Sequence, residues 1–381
     1  MERGSFELMK KMNQKVILKL IYKEKSISRA QIAEITGLSP ATVSNIVKEM
    51  LEMDLIKETT RGESRGGRKP VLLEINPGGA YFIGLEWGIA EIRGVIMDLN
   101  RNIVVEVEEE VQSHRLESFI EITSGMVNRF KDSIAVEKVY GMGVGVHGMV
   151  DPIRGYSLFA PHFHWKDLAL KEKLEKEFEL PILIDNDVRV MALAEKWNGH
   201  DNFLFINTGS GIGAAILLDG KLYYGRDYSA GEFGHMTIVR NGPLCSCGNK
   251  GCLEALISTD SLVRRYDSGI PENATHHQLH RGWIQLVNDA RDEKKEALEL
   301  IEEIAEYLSL GLSNLVNLLN PDEIILGGEF LEATDLLLPQ LKNEVREKSL
   351  QIPGRKLKIA VTEFAEWVGA IGGATMVLQQ L

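Results

Sequence analysis

The sequence predicts an α/β body of two related lobes, with a winged helix-turn-helix head at its N-terminus. Three observations point there. A strand, glycine turn and strand near residue 82 recur near residue 203. The first 75 residues carry the capping and turn residues of a helix-turn-helix, and the charge of the chain is divided between these two parts.

At 381 residues the chain exceeds one ordinary core and points to two or three domains. Apolar residues make up 44% and charged residues 26%, as in a soluble globular protein. There is no run of eighteen apolar residues, and the opening MERGSFELMKKMNQK lacks the apolar centre of a signal peptide. The cytoplasm is therefore expected, with no membrane partner. A net charge of −12 alone argues against nucleic acid. Residues 1–75, however, hold 14 Lys and Arg against 10 Asp and Glu, or +4, which leaves 29 against 45, or −16, for the rest. A basic head on an acidic body is expected when one domain meets DNA.

In the head, NQKVILKLIYK (13–23) places Val16, Ile17, Leu20 and Ile21 on one helical stripe. In the following SRAQIAEITGLSPATVSNIVKEM, Ser28 can cap a helix from Arg29 to Thr36 and Gly37 can end it. Ser39 and Pro40 then supply a cap and first residue for the next helix. The second helix of such a pair enters the major groove. Its expected DNA-facing residues are Ser39, Ala41, Thr42, Ser44 and Asn45, with Val43, Ile46, Val47 and Met50 facing the core. An ordinary helical hairpin is the bland alternative, which the agreement of caps, turn and basic charge disfavours.

IKETTRGESRGGRKPVLLEI then reads as two strands joined by a glycine and arginine loop, the pattern of a wing. Arg65, Arg68 and Lys69 lie in a thin backbone suited to a narrow minor groove. The same stretch also reads as an interdomain linker.

From residue 80 the order of elements is strands, helix, strand, helix, strand, helix, and it repeats. FIGLEWGIAEIRGVIMDL (82–99) and FLFINTGSGIGAAILLDG (203–220) are each an apolar strand, a glycine turn and a second strand ending near Asp. Two lobes opening on such hairpins resemble the actin-like fold shared by sugar kinases, heat-shock proteins and actin. With the winged head and GEFGHMTIVRNGPLCSCGNKGCLEA (231–255), nearly the whole chain resembles the ROK family of sugar-responsive repressors and sugar kinases. The expected division is a head over 1–75, a first lobe over 76–186 plus 366–381, and a second lobe over 187–365.

All three cysteines fall in that motif. Cys245 and Cys247 are one residue apart, Cys252 follows five later, and His235 lies ten before the first. Three sulfurs and one nitrogen can close a tetrahedral shell, so a structural Zn2+ is expected, and Gly248 and Gly251 supply the turns of the knuckle. The family resemblance implies that the second nitrogen of His235 holds a sugar hydroxyl, and that Glu232 and Glu254 hold others.

In PILIDNDVRVMALAEKW (181–197) an apolar strand runs into Asp185, Asn186 and Asp187 and then a helix. Asn-Asp before a helix is most often a cap. The resemblance implies instead that Asn186 and Asp187 bind sugar, with Asp187 the general base if kinase activity persists. GVGVHGMVD (143–151) resembles a glycine-rich sugar loop, with Gly148 a sugar contact and His147 where kinases often carry Pro. His162, in APHFHW, stands where an Asn is common.

Nucleotide contacts are expected, by the same resemblance, at Gly88 of the first hairpin and at Thr208, Gly209, Ser210 and Gly211 of the second, with Gly327 and Gly328 on the adenosine side. VGAIGGA (368–374) fits close helix packing as well as ligand binding. Family kinases read Asp, any residue, Gly, Gly, Thr at the first hairpin. Here the residues are Glu86, Trp87, Gly88, Ile89 and Ala90, with Glu329 where a further small residue is frequent. Several weakened contacts should compound. The expectation is therefore a regulator that binds operator DNA and a hexose-type sugar as a homodimer or higher homo-oligomer. An active ATP-dependent sugar kinase using Mg-ATP is the alternative, and control by a protein partner is a third reading.

Overall fold

A computed structural model describes residues 2–59, 71–196 and 199–381. The head is organised by its caps. Ser28 Oγ accepts from Gln31 N at 3.3 Å while Gln31 Oε1 accepts from Ser28 N at 3.1 Å, which starts the helix Arg29–Thr36. Gly37, at φ 68°, ends that helix in the left-handed region. Ser39 Oγ then accepts from Thr42 N at 3.1 Å and starts the helix Pro40–Glu52, whose buried side is Val43, Ile46, Val47 and Met50. The preceding helix runs Glu2–Glu24 rather than beginning near residue 13. Its early residues lack an apolar stripe, but their Glu, Lys, Met and Leu are strong helix formers.

Ile27–Ser28, Leu72–Ile75 and Ile56–Thr59 form an antiparallel sheet with Leu72–Ile75 in the middle and Thr59 opposite Leu72. The expected wing strands therefore pair. Arg65, Arg68 and Lys69 lie outside the described residues.

The body contains two five-stranded sheets with the same pattern of pairing. The first runs Ile182–Asn186, Val139–Val146, Tyr81–Trp87, Glu91–Asp98, Ile103–Glu110, and the second Lys358–Val361, Glu323–Gly328, Phe203–Thr208, Ile212–Leu218, Lys221–Leu222. In each, two parallel pairings are followed by two antiparallel ones, and the strands of the two similar hairpins occupy equivalent places. A small sheet of Met149–Asp151, Tyr156–Ala160 and Trp165–Leu168 belongs to the first lobe.

The helices Asp187–Lys196 and Val368–Leu378 pack against each other, and every residue of the second is buried. Glycine makes the approach possible. A Cβ at Gly84 would lie 1.9 Å from Ala370 O, and one at Gly372 would lie 1.9 Å from Val190 O. VGAIGGA is thus a packing motif in this fold. One apolar cluster also joins the head to the body, running from Ile17, Ile21 and Val47 through Phe82 and Met97 to Ala370 and Leu378. No helix among the described residues is long and apolar enough to cross a membrane.

Candidate functional site

The strand Ile182–Asn186 delivers its last residues into the cleft, where the helix Asp187–Lys196 begins. Asn186 Nδ2 donates to Gly148 O at 2.9 Å and to Asp187 Oδ1 at 2.6 Å, and Asp187 Oδ1 also accepts from Val188 N at 2.9 Å. Asn186 Oδ1 accepts from Arg189 N at 3.1 Å, so this residue is a helix cap as well as a cleft residue. Gly148, at φ 98°, has no room for a side chain, since a Cβ would sit 2.4 Å from Phe159 O. On its other oxygen Asp187 meets His147 Nδ1 at 3.3 Å.

Burial opposes a charge on His147, but Asp187 outweighs it, and Glu254 and Glu232 add to the effect, so the imidazole is held above its ordinary pKa. Asp187, Glu232 and Glu254 are thus near enough to His147 to act on its charge. The ring of His162 lies edge-on to His147 at 5.0 Å, and burial together with that neighbour pushes its pKa down to about 4.

The knuckle brings a second group of candidate ligands together. The ligand atoms of His235, Cys245, Cys247 and Cys252 all lie within 4.8 Å of one another. Cys247 and Cys252 sulfurs are 3.7 Å apart, close to the roughly 3.8 Å edge of a tetrahedron with metal–sulfur bonds of about 2.3 Å. The set fits a metal ion. His235 Nδ1 faces Cys245 Sγ at 3.5 Å, whereas its Nε2 faces Glu232 Oε2 at 3.8 Å. One nitrogen thus serves the metal cluster and the other points to the candidate sugar ligands. Gly251, at φ 75°, is required here because a Cβ would lie 1.7 Å from Val239 O. Glu254 Oε2 accepts from Ile212 N at 3.2 Å, which ties the knuckle to the second hairpin.

The two hairpin turns differ. In the first, Trp87 is fully buried and donates to Thr123 Oγ1 at 3.1 Å, packing against Phe119 and Trp165. Ile89 is half-buried and packs on the same first-lobe core, and its carbonyl oxygen lies 2.8 Å from His114 Nε2. The extra side chain at this turn is accordingly taken up by the lobe. Glu86 Oε2 is buried without a hydrogen-bond partner, against Gly369, where a Cβ would lie 2.2 Å from it. Burial, opposed by Arg93 and reinforced by Asp187, pushes the Glu86 carboxyl up to about 7.

In the second hairpin, Thr208 is buried and its hydroxyl donates to Gly327 O at 2.8 Å, so this side chain is structural. Gly328, at φ 85°, lies where a Cβ would be 2.0 Å from Thr208 O. Gly209 and Ser210 turn beside Gly211, where a Cβ would stand 3.6 Å from Glu254 Oε2. Far from the cleft, Ser39, Ala41, Ser44 and Asn45 are exposed on the head, and Thr42 Oγ1 lies 2.8 Å from Ser39 Oγ.

Sequence reasoning missed a supporting network. Arg189 binds Asp185 Oδ1 through Nε at 2.7 Å, Val150 O at 2.9 Å and Tyr228 O at 2.9 Å, while Tyr224 OH donates to Asp185 Oδ2 at 3.1 Å. This buried pair joins the strand end of one lobe to the 224–228 loop of the other. The only local signal was an Asp and an Arg four residues apart.

The chain matches the ROK family model over residues 82–380 and a winged helix-turn-helix DNA-binding model over residues 13–57. It is 31% identical to the xylose repressor of Bacillus subtilis, covering 97% of this chain and 95% of that protein. The crystal structure of a ROK family transcriptional regulator, a homolog of the Escherichia coli MLC protein, superposes with a TM-score of 0.83 at 28% identity, covering 98% of this chain and 96% of that one. A ROK family glucokinase from Streptomyces griseus, in complex with glucose and AMPPNP, matches with a TM-score of 0.68 at 27% identity over 79% of this chain and 100% of its own.

Proposed function

The chain belongs to the ROK family, and on that premise we propose that it is a sugar-responsive repressor. In this reading the winged head holds operator DNA, and a monosaccharide in the cleft between the lobes changes that grip. What supports it is the linkage of the Asn186–Asp187 pair to His147, the charge effect of Glu232 and Glu254 on the same histidine, and the approach of His235 to Glu232, in a body whose apolar core is continuous with that of the head.

Asp187 and Asn186 would orient sugar hydroxyls. Glu232, Glu254 and the free nitrogen of His235 would hold others. The knuckle would take Zn2+, whose shell of four protein ligands leaves no open position for water, so the ion supplies rigidity. Exposed Ser39, Ala41, Ser44 and Asn45 would read base edges. A homodimer would present two heads to two half-sites.

The chemistry of a kinase is not supported. Asp187 Oδ1 accepts from Asn186 and Val188 and Oδ2 faces His147 Nδ1 at 3.3 Å, contacts that serve an orienting role toward sugar hydroxyls. Glu86 Oε2 is buried without a hydrogen-bond partner, and the Asp187 charge helps to raise the pKa of this carboxyl. A ligand shifts the operator equilibrium only through different affinities for the two states of the protein.

The test is fluorescence anisotropy on the upstream DNA of its own gene with a panel of D-xylose, D-glucose and N-acetylhexosamines. One sugar should change operator affinity at least about tenfold, and Asp187→Asn should abolish that change. Absence of response to every sugar, with release by a protein fraction instead, would support the partner-controlled reading. Brisk sugar-dependent ADP release would support the kinase.

A further inference from the structure

Glu329 follows directly on the strand Glu323–Gly328, and its side chain lies across the turn of the second hairpin. Its Oε2, Cδ and Cγ are 3.1, 3.2 and 3.3 Å from the position a Cβ would take on Gly209. Thr259 clamps both partners, donating from Oγ1 to Glu329 Oε2 at 2.5 Å and from its amide to Gly209 O at 3.0 Å. The helix His276–Arg291 brings two histidines to the other oxygen. His276 Nε2 and His280 Nδ1 lie 3.4 and 3.6 Å from Glu329 Oε1, with the two rings stacked. Trp283, on the same helix, donates to Glu329 O at 3.0 Å.

We propose that Glu329 is a tethered anion in the place of a nucleotide phosphate on the Gly209–Ser210–Gly211 turn, and that it makes the cleft take sugar while rejecting nucleoside di- and triphosphates. The proposal rests on the sugar-regulator reading. Burial opposes the charge of Glu329, but His276, His280 and Thr259 hold its pKa down to about 2, so the group is a carboxylate throughout the ordinary pH range. A phosphate arriving at this turn meets a fixed negative charge in a partly desolvated site, where repulsion is strong. The imidazoles that would otherwise meet it are turned to Glu329, and His280 Nε2 also faces Glu332 Oε1 at 3.5 Å. With that carboxylate shortened, the same imidazoles and the glycine turn become a site for an external anion.

Calorimetry with ADP and Mg2+ tests this on the full chain. The wild-type protein should take up no ADP at millimolar concentration, whereas Glu329→Ser should bind it at least about tenfold more tightly. Glu329→Gln keeps the size of the side chain and removes its charge, and should gain binding to a smaller degree. Retained sugar affinity shows that each variant is folded. ADP binding by the wild type as tight as by Glu329→Ser overturns the proposal. So does failure of both folded variants to gain it, and should Glu329→Ser not fold, the Gln variant decides alone. Lack of any sugar effect on operator binding in the wild type would instead sink the repressor reading, and would leave a gain of ADP binding intact.

Discussion

Lys15, on the first helix of the head, donates from Nζ to the main-chain carbonyl of Gln379 at 2.8 Å. Gln379 lies immediately after the helix Val368–Leu378, whose first turn rests against Glu86 in the cleft. A buried helix of 11 residues, about 16 Å long, thus touches the candidate ligand cleft at one end and the DNA-binding head at the other. Leu18 and Tyr22 of the head pack into the same apolar cluster as Leu378.

Lys15→Met removes the donor and keeps the apolar stem. Operator affinity without sugar should stay within about threefold, and the sugar-induced change should shrink by roughly 0.5–2 kcal/mol. Anisotropy titrations with and without the effector measure both quantities. An unchanged sugar response would show that this end of the helix carries no coupling.

The knuckle gives a second prediction, because one histidine faces the metal cluster with Nδ1 and Glu232 with Nε2. Cys252→Ser should lose the bound ion, measured by elemental analysis. Sugar affinity should fall at least about tenfold by calorimetry, since ligands oriented by a metal lose their geometry with it. Chelation of the wild type should have the same effect, reversed by adding Zn2+. Full sugar affinity without metal would separate the two sites.

How much of this was legible depended on how local the cause was. Ser28 with Gln31, Gly37 and Ser39 with Pro40 act over three or four residues, and the head could be read from them. The knuckle was equally readable, its four ligands lying within eighteen residues of sequence. The two hairpins declared themselves because each is a continuous segment. What escaped were groups brought together only by folding. Glu329 meets His276 and His280 some fifty residues away in the chain, and Arg189 meets the carbonyl of Tyr228. The side chain of Ile89, a β-branched residue at a turn where family kinases carry Gly, packs on the core of its own lobe, a choice that no sequence pattern could assign.

The Asp185 and Arg189 pair provides a third prediction. Both side chains are almost wholly buried, and Arg189 Nη2 lies 2.6 Å from Asp185 Oδ1. Arg189→Met leaves a buried carboxylate without its counter-charge and frees the carbonyls of Val150 and Tyr228. Urea denaturation should show a loss of about 3–5 kcal/mol. The double variant Asp185→Asn with Arg189→Met should recover part of that loss, because it no longer buries a charge alone. Equal destabilisation in the single and double variants would mean that the carbonyl contacts, and not the ion pair, hold the lobes.

Glu86 provides the last prediction, on the pH dependence of stability. Its carboxyl is pushed up to about 7 from the ordinary 4.5, by burial first and by Asp187, Glu91 and Glu108 after the opposing effect of Arg93. Below pH 4.5 the group is neutral in the folded and unfolded chain alike and costs nothing. As pH rises toward 7 the unfolded chain ionises while the folded one resists, so stability falls, by at most about 3 kcal/mol, and the loss is complete above that range. Glu86→Gln is neutral in both states and lacks this loss. The difference in unfolding free energy between variant and wild type should therefore grow from pH 4.5 to 7, in favour of the variant, and then level off. Urea titrations of both proteins at pH 4.5, 6, 7 and 8 measure the difference, in which all other titrating groups cancel. A difference independent of pH would mean that the carboxyl finds a partner or water in solution and keeps its ordinary pKa.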